Sequence, residues 1–330
     1  MATKVQGDIP SAVGLKEFMG VIHDRLEKHG RQGALAFADT NVDRRALEAA
    51  FGYMSDEDPR IGFLFSGWCQ TALPHRKLKD DEIWSLETDY VHLMIEPGSV
   101  QGPDGPVRVG VPFGSRARLI LLYLQTEAIK TNSREIELGR SLSVWLGKLN
   151  VPIGGKSMND VREQALRLSR CRMTFQITSG TKTGFINQNI VDTSMFTEEK
   201  TGSLLETVKL SEGFFDQLKR HPVPLQESAI RAISNNSQAL DIYCWLAYRL
   251  HSLKSDCQIT WPALHAQFGA GYNSLKNFRM RFNDSLAIAM AVYPEANVDV
   301  DRVGVRLKVS NSPVQARATR VQGTLGPAST

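Results

Sequence analysis

The side chains with the most to offer chemically are Asn, Lys and Arg at helical spacing, and they occur in two places. Asn159, Glu163, Arg167 and Arg170 recur on one side of a predicted helix, with Arg162 flanking; Met158, Val161, Ala165 and Leu168 take the other side. About 110 residues later, Asn273, Lys276, Asn277, Met280 and Arg281 turn away from a stripe of Leu275, Phe278, Phe282, Leu286 and Ala289, with Arg279 flanking. An exposed helical face of this kind fits the major groove of duplex DNA. Arg can donate two bonds to guanine there, and Asn can pair in bidentate fashion with adenine. Lys182, Arg306 and Lys308 are placed to meet phosphates, which hold register without carrying sequence information, and Lys156 joins the candidate nucleic-acid-binding residues. The plainer alternative is two amphipathic helices whose charged faces are merely solvated.

Other chemistries have thinner support. Cys69 and His75 form the one nucleophile–base pair that can be imagined, and no third residue is evident to orient the His. His92 stands alone in the apolar run YVHLMIE, where a structural role is the ordinary expectation. The string Gly154-Gly155-Lys156-Ser157 imitates the end of a phosphate-binding loop, but Asn150 stands where that pattern needs Gly, and the preceding segment is helical. Cys69, Cys171, Cys244 and Cys257 are scattered without zinc spacing, so no metal and no cofactor is expected. The protein is expected not to be an enzyme.

Charge is unevenly distributed. Residues 116–182 hold 12 Lys and Arg against 5 Asp and Glu, a net +7, whereas residues 1–110 hold 12 against 17, a net −5. Residues 237–309 carry a net +2, from 8 basic and 6 acidic residues. A basic centre fits a phosphate-backbone partner. At 42% hydrophobic the chain can bury a real core. No apolar run reaches the ~20 residues of a membrane span, and MATKVQGDIP lacks the apolar block of a signal peptide, so a cytoplasmic protein is expected.

The elements that would position these faces repeat in order. In SLSVWLGKLN, Leu142, Trp145, Leu146 and Leu149 share a side; Pro152, Gly154 and Gly155 force a turn; Ser157-x-x-Asp160 then reads as the cap of the basic helix. MTFQIT, SGTKTG and FINQNIVD follow as a hairpin, the expected wing, with Lys182 at its tip. Before them, Ser115 is the expected N-cap of a buried helix through Leu119–Leu124. The second set runs from SQALDIYCWLAYRLHSL through the strand ITW, the helix PALHAQFG with Pro262 in its first turn, and the turn GAGYN into the second basic helix. VDVDRVGVRLKVS closes it as a second wing around Arg302–Gly304. Upstream, Leu15, Phe18, Met19, Ile22 and Leu26 predict a helix within 12–30, and a second is predicted from Val42 to Tyr53. GFLFSGW, DYVHLMIE and VRVGVP predict strands. TVKL predicts a short strand and Ser211 the cap of a further helix, which Pro222 and Pro224 stop. The fold class is α+β: two tandem winged-helix domains, 111–235 and 236–311, behind an N-terminal region 1–110 and before a mobile tail 312–330.

Longer strings add a resemblance. The run PFGSRARLILLYLQTEAIKTNSREIELGRSLSVWLGKLNVPIGGKSMNDVREQALRLSRCRMTF resembles the plasmid-encoded RepA-type replication initiators of proteobacteria. GFLFSGWCQTALPHRKL, LETDYVHLMIEPG, ITWPALHAQFG and NSLKNFRMRFNDSLAIAMAVYP extend it over about residues 60–310. The resemblance implies a protein that binds repeated origin sequences, helps open an adjacent AT-rich region, and helps recruit a host initiator ATPase and replicative helicase. It also implies that one domain dimerises, that the dimer represses its own promoter, and that the second winged helix is the main base reader. The charge distribution favours the first instead, so both helices stand as candidates. The alternatives are a transcriptional regulator on the same scaffold, a protein-interaction module, and an enzyme using Cys69 and His75.

Overall fold

The structure is a computed structural model that describes residues 15–57, 60–88, 91–138, 142–148, 151–179, 182–199 and 202–314. Side chains at 15–19, 142, 143, 145, 177–179, 182–188, 193–199 and 202–206 lie outside the description. So do the expected contacts of Leu15, Phe18, Met19, Leu142, Trp145 and Leu149, and the tail from 315 onward.

Helix α1 (Leu15–Ala36) breaks at Gly30, where φ is 62° and ψ is −178°, a conformation that costs glycine little. Helix α2 (Asn41–Met54) starts on a capping box: Asp43 N donates to Thr40 Oγ1 at 3.0 Å and Thr40 N to Asp43 Oδ2 at 2.9 Å. Five strands follow, β1 (Ile61–Phe65), β2 (Trp84–Glu87), β3 (Val91–Glu96), β4 (Gly98–Gly102) and β5 (Gly105–Val109). Three predicted strands of this region overlap β1, β3 and β5, but GFLFSGW turns after Phe65 and VRVGVP leaves its strand after Val109; residues 89 and 90 are outside the described residues.

The first winged-helix unit begins with α3 (Gly114–Thr131), β6 (Glu135–Glu137), α4 (Leu142–Lys148) and α5 (Gly155–Arg170). Two hairpins follow: β7 (Arg172–Ser179) with β8 (Lys182–Gln188), then β9 (Val191–Glu199) with β10 (Gly202–Leu210). Their pairings correct one expectation. β7–β8 joins β2–β3 in a four-stranded sheet ordered β2-β3-β7-β8, whereas β10 pairs with β6, the strand between the first two helices, in the order β6-β10-β9. The hairpin that completes the winged-helix sheet is therefore β9–β10. The MTFQIT hairpin carrying Lys182 extends a separate sheet, and the Lys182 side chain lies outside the description.

Two caps also differ from expectation. α3 starts after Phe113 without a side-chain cap, and Ser115 lies inside its first turn. α5 starts after Gly154, whose backbone is extended, so Ser157 and Asp160 are already helical. In both cases the helix begins a little upstream of the hydroxyl, where side-chain capping geometry is lost.

After α6 (Glu212–Arg220), which Ser211 caps as expected, Pro222 and Pro224 do more than stop a helix. They lie in β11 (Pro222–Gln226), which pairs antiparallel with β1. Proline has no amide donor and suits such an edge. The first strand has a second edge too, and α3 satisfies it: Phe63 N donates to Thr126 Oγ1 at 2.9 Å and Phe65 N to Gln125 Oε1 at 2.8 Å. That accounts for two of the polar side chains that α3 buries.

Short α7 (Glu227–Ala232) leads into the second unit: α8 (Ser237–Arg249), β12 (Cys257–Thr260), α9 (Trp261–Phe268), α10 (Leu275–Ala291), β13 (Val298–Val300) and β14 (Gly304–Leu307). Its sheet is ordered β12-β14-β13, so the strand after the first helix pairs with the returning wing strand. The region 1–110, expected as one unit, divides in space. α1 and α2 pack on α10, with His23 Nε2 2.9 Å from Ala291 O, while β3–β5 pack on the first unit and β2 touches α9 as well as β3. Arg118, 6% exposed, joins the two units. It donates to both carboxylate oxygens of Asp241 (2.6 and 2.7 Å), to Leu73 O (2.7 Å) and to Gly114 O (2.8 Å).

Candidate nucleic-acid interface

Each unit puts its basic helix in the position that follows a short helix and a turn, but the two helices present different surfaces. On α5, Val161, Ala165 and Leu168 are buried and Met158 packs against the core, as the periodicity predicts. Lys156, Asn159 and Arg170 are exposed, and Arg162 is half-buried. Arg167 is 4% exposed, which contradicts its expected place on an outer face. Its Nη2 donates to Asp80 Oδ1 and Glu163 Oε1, both at 2.9 Å, its Nη1 donates to Val111 O at 3.2 Å, and its guanidinium lies 5.3 Å from the Phe113 ring.

The cause is a segment far away in sequence. Residues 77–80 and the β4–β5 hairpin lie against the C-terminal half of α5. Lys77 Nζ sits 3.3 Å from Glu163 Oε1, and a Cβ on Gly98 would collide with the carbonyl of Arg170. Of the expected reading face, the first turns stay open at Lys156 and Asn159; Glu163 and Arg167 are committed to internal ion pairs.

On α10 the corresponding face is open. Ser274 caps the helix by accepting from Asn277 N at 3.3 Å. Phe278 and Phe282 are fully buried beneath it, both edge-on to Trp261. Asn273, Lys276, Asn277, Met280 and Arg281 are exposed together. Arg281 has one loose ion pair, Nη1 to Asp284 at 3.7 Å, with its side chain 62% exposed. Arg279 is half-buried, with its guanidinium 4.9 Å from the Trp261 ring; stacking fixes its direction. Leu275, expected in the buried stripe, is 40% exposed, because the helix has only just begun there and extends beyond the core. From Ser285 to Ala291 the helix is buried, so only its first half is presented.

The wing beside it is well held. Asp301 Oδ1 accepts from Val303 N (2.8 Å) and Gly304 N (2.9 Å), and those bonds hold its carboxyl below the ordinary Asp pKa. A Cβ on Gly304 would meet the Ile259 backbone, so strand pairing requires glycine there. Arg302 and Val303 are exposed at the tip. Of the expected phosphate contacts, Arg306 is exposed with Nε 3.2 Å from Gln258 Oε1, and Lys308 is paired with Asp299 at 2.7 Å. The Trp261 floor and the tip residue Arg302 were not among the sequence candidates. The signal was present in Thr260-Trp261-Pro262, a capped helix start with an aromatic at its first position.

Cys69 and His75 do not form an activated pair. Cys69 is 1% exposed, and burial pushes its thiol well above the ordinary value, the reverse of what a nucleophile needs. Burial first, then repulsion from Arg118 and Arg76, lowers His75 to about 3. Its Nδ1 lies 2.9 Å from Ser237 Oγ and 3.4 Å from Arg118 Nη2. Among the described residues no cluster of His, Cys, Asp and Glu could hold a metal ion, and no helix is long and apolar enough to cross a membrane.

Residues 111–262 match the family described as plasmid encoded RepA protein. No curated protein matches the chain. Among solved structures, the chain is similar to a selenomethionine derivative of domain 2 and domain 3 of RctB. The TM-score is 0.50 at 12% identity, covering 76% of this chain and 99% of that one. A second crystal structure of RctB domains 2-3 aligns with a TM-score of 0.43 at 11% identity, covering 74% of this chain and 96% of that one. At such identity the likeness bears on the fold, which is α+β and winged-helix-like.

Proposed function

We propose, from the match of residues 111–262 to the family described as plasmid encoded RepA protein, that this protein is a plasmid replication initiator acting by sequence-specific binding to duplex DNA. The observation that carries the reading is the open face of α10: Lys276, Asn277 and Arg281 exposed on the first half of a capped helix, with Asn273 exposed just before its cap, braced by Trp261 beside the wing. A helix shaped in this way enters the major groove with its N-terminal residues toward base edges. Arg302 and Arg306 on the wing meet the flanking phosphates, and Arg279, steered by Trp261, does the same from the helix.

The first unit has a different share of the work in this reading. Lys156 and Asn159 touch the backbone of the adjoining turn, and the covered half of α5 reads no bases. The repeated origin sequences, the strained AT-rich region beside them, the host initiator ATPase and helicase, and a homodimer that represses the promoter complete the proposed cycle. The protein's own part is non-catalytic: binding energy bends or strains DNA.

The test is footprinting of the purified protein on DNA flanking its own gene, together with a plasmid replication assay using that DNA. Protection of repeated sites and replication that depends on the protein support an initiator. Protection without replication makes it a regulator, and no protected site ends the reading.

A further inference from the structure

Met280 is an exposed apolar side chain set among the polar groups of the α10 face. It follows Lys276 by four residues and Asn277 by three, so it stands beside both on the same face. It is 46% exposed, although the core of this unit lies directly behind the helix. The other exposed members of the face, Asn273, Lys276, Asn277 and Arg281, have charge or hydrogen-bonding capacity to keep them in water. A thioether carries no charge and accepts hydrogen bonds only weakly, and its exposure leaves apolar area uncovered.

In the major groove one group rewards such a side chain. The C5 methyl of thymine is the apolar feature of that groove, and it sits beside the hydrogen-bonding edges that Asn and Arg read. Unbranched and flexible, Met can follow the methyl without a rigid fit. We infer that Met280 contacts a thymine methyl in the recognised sequence, within reach of the base read by Asn277, and so selects thymine at one position. The inference rests on α10 being the reading helix.

The test begins by selecting preferred duplexes from a random library with the full chain. Each thymine of the selected site is then replaced in turn by deoxyuridine, which removes only the C5 methyl. Wild-type protein is expected to lose about threefold to fivefold in affinity at one thymine, the value of burying one methyl. Met280→Ala is expected to bind thymine and deoxyuridine duplexes equally at that position, with unchanged thermal stability because the side chain is exposed. Wild-type affinity that ignores every replacement overturns the inference, as does Met280→Ala protein that still distinguishes the two bases; in either case α10 is left as the reader. If no sequence is enriched at all, the DNA-reading proposal falls and takes this inference with it.

Discussion

Arg281 faces solvent with one loose ion pair, so its guanidinium fork can turn to a base edge at little cost. Arg281→Ala and Asn277→Ala are each expected to weaken specific binding by about 1–3 kcal/mol and to relax preference at one position, measured by anisotropy on selected and mutated duplexes. Arg167 should behave differently. Its guanidinium is bonded to Asp80, Glu163 and Val111, so Arg167→Ala is expected to lower folding stability by about 1–3 kcal/mol in urea while leaving sequence preference unchanged. A shift in preference without a change in stability would return Arg167 to the reading surface. Its misplacement by sequence has a plain cause. Periodicity identifies the side of a helix opposite its own core but not a second layer laid over it, and Asp80 arrives from 87 residues away. His75 brings a pH dependence. Its pKa is lowered from 6.5 to about 3 in the fold, so the unfolded chain takes up the proton first. The His75 contribution is fully present above pH ~6.5 and is lost as pH falls toward ~3. A His75→Gln variant should show a shallower loss of urea stability over that interval; parallel curves would remove His75 from the account.

At the scale of elements, the second unit was legible from sequence almost throughout. Its helix starts carry Thr260 and Ser274 as working caps, Pro262 sits in a first turn, and a short turn joins β13 to β14. The first unit was legible in its helices but not in its wing. Two hairpins follow α5 with similar alternation, and the choice between them depends on which one reaches β6. That pairing, Val208 with Ile136, is not local. Local patterning sets the two faces of a strand but leaves its partner open. The α10 cap offers a test at this scale. Ser274→Ala should cost about 1 kcal/mol of stability, and because the cap holds the Asn277 amide, it should also weaken DNA binding. A loss of stability without loss of affinity would show that helix start and base reading are independent.

Across the whole molecule, the two winged-helix units are fastened by Arg118 and Asp241, whose side chains are 6% and 10% exposed. The N-terminal helices fold back onto the second unit. This arrangement sets the direction in which α10 and the wing project. Arg118→Ala would leave a buried carboxylate without its counter-charge, which typically costs about 3–5 kcal/mol. Urea denaturation of the full chain should show a loss of that size, and a loss under ~1 kcal/mol would mean that apolar packing alone sets the join. The charge count that pointed to the first unit was accurate as a count and misleading as a guide. Part of that positive charge is Arg118 and Arg167, both spent inside the fold.

The central claim is that α10 reads duplex DNA. Its most direct test is the binding of wild-type protein and an Asn277→Ala/Arg281→Ala variant to origin-flanking duplex, with competitor DNA, across a salt series. Wild-type protein is expected to bind tightly, to resist competitor and to weaken steeply with salt, and the variant to fall to sequence-indifferent binding that keeps its steep salt dependence because the phosphate contacts remain. A variant that keeps wild-type affinity and sequence preference would contradict it.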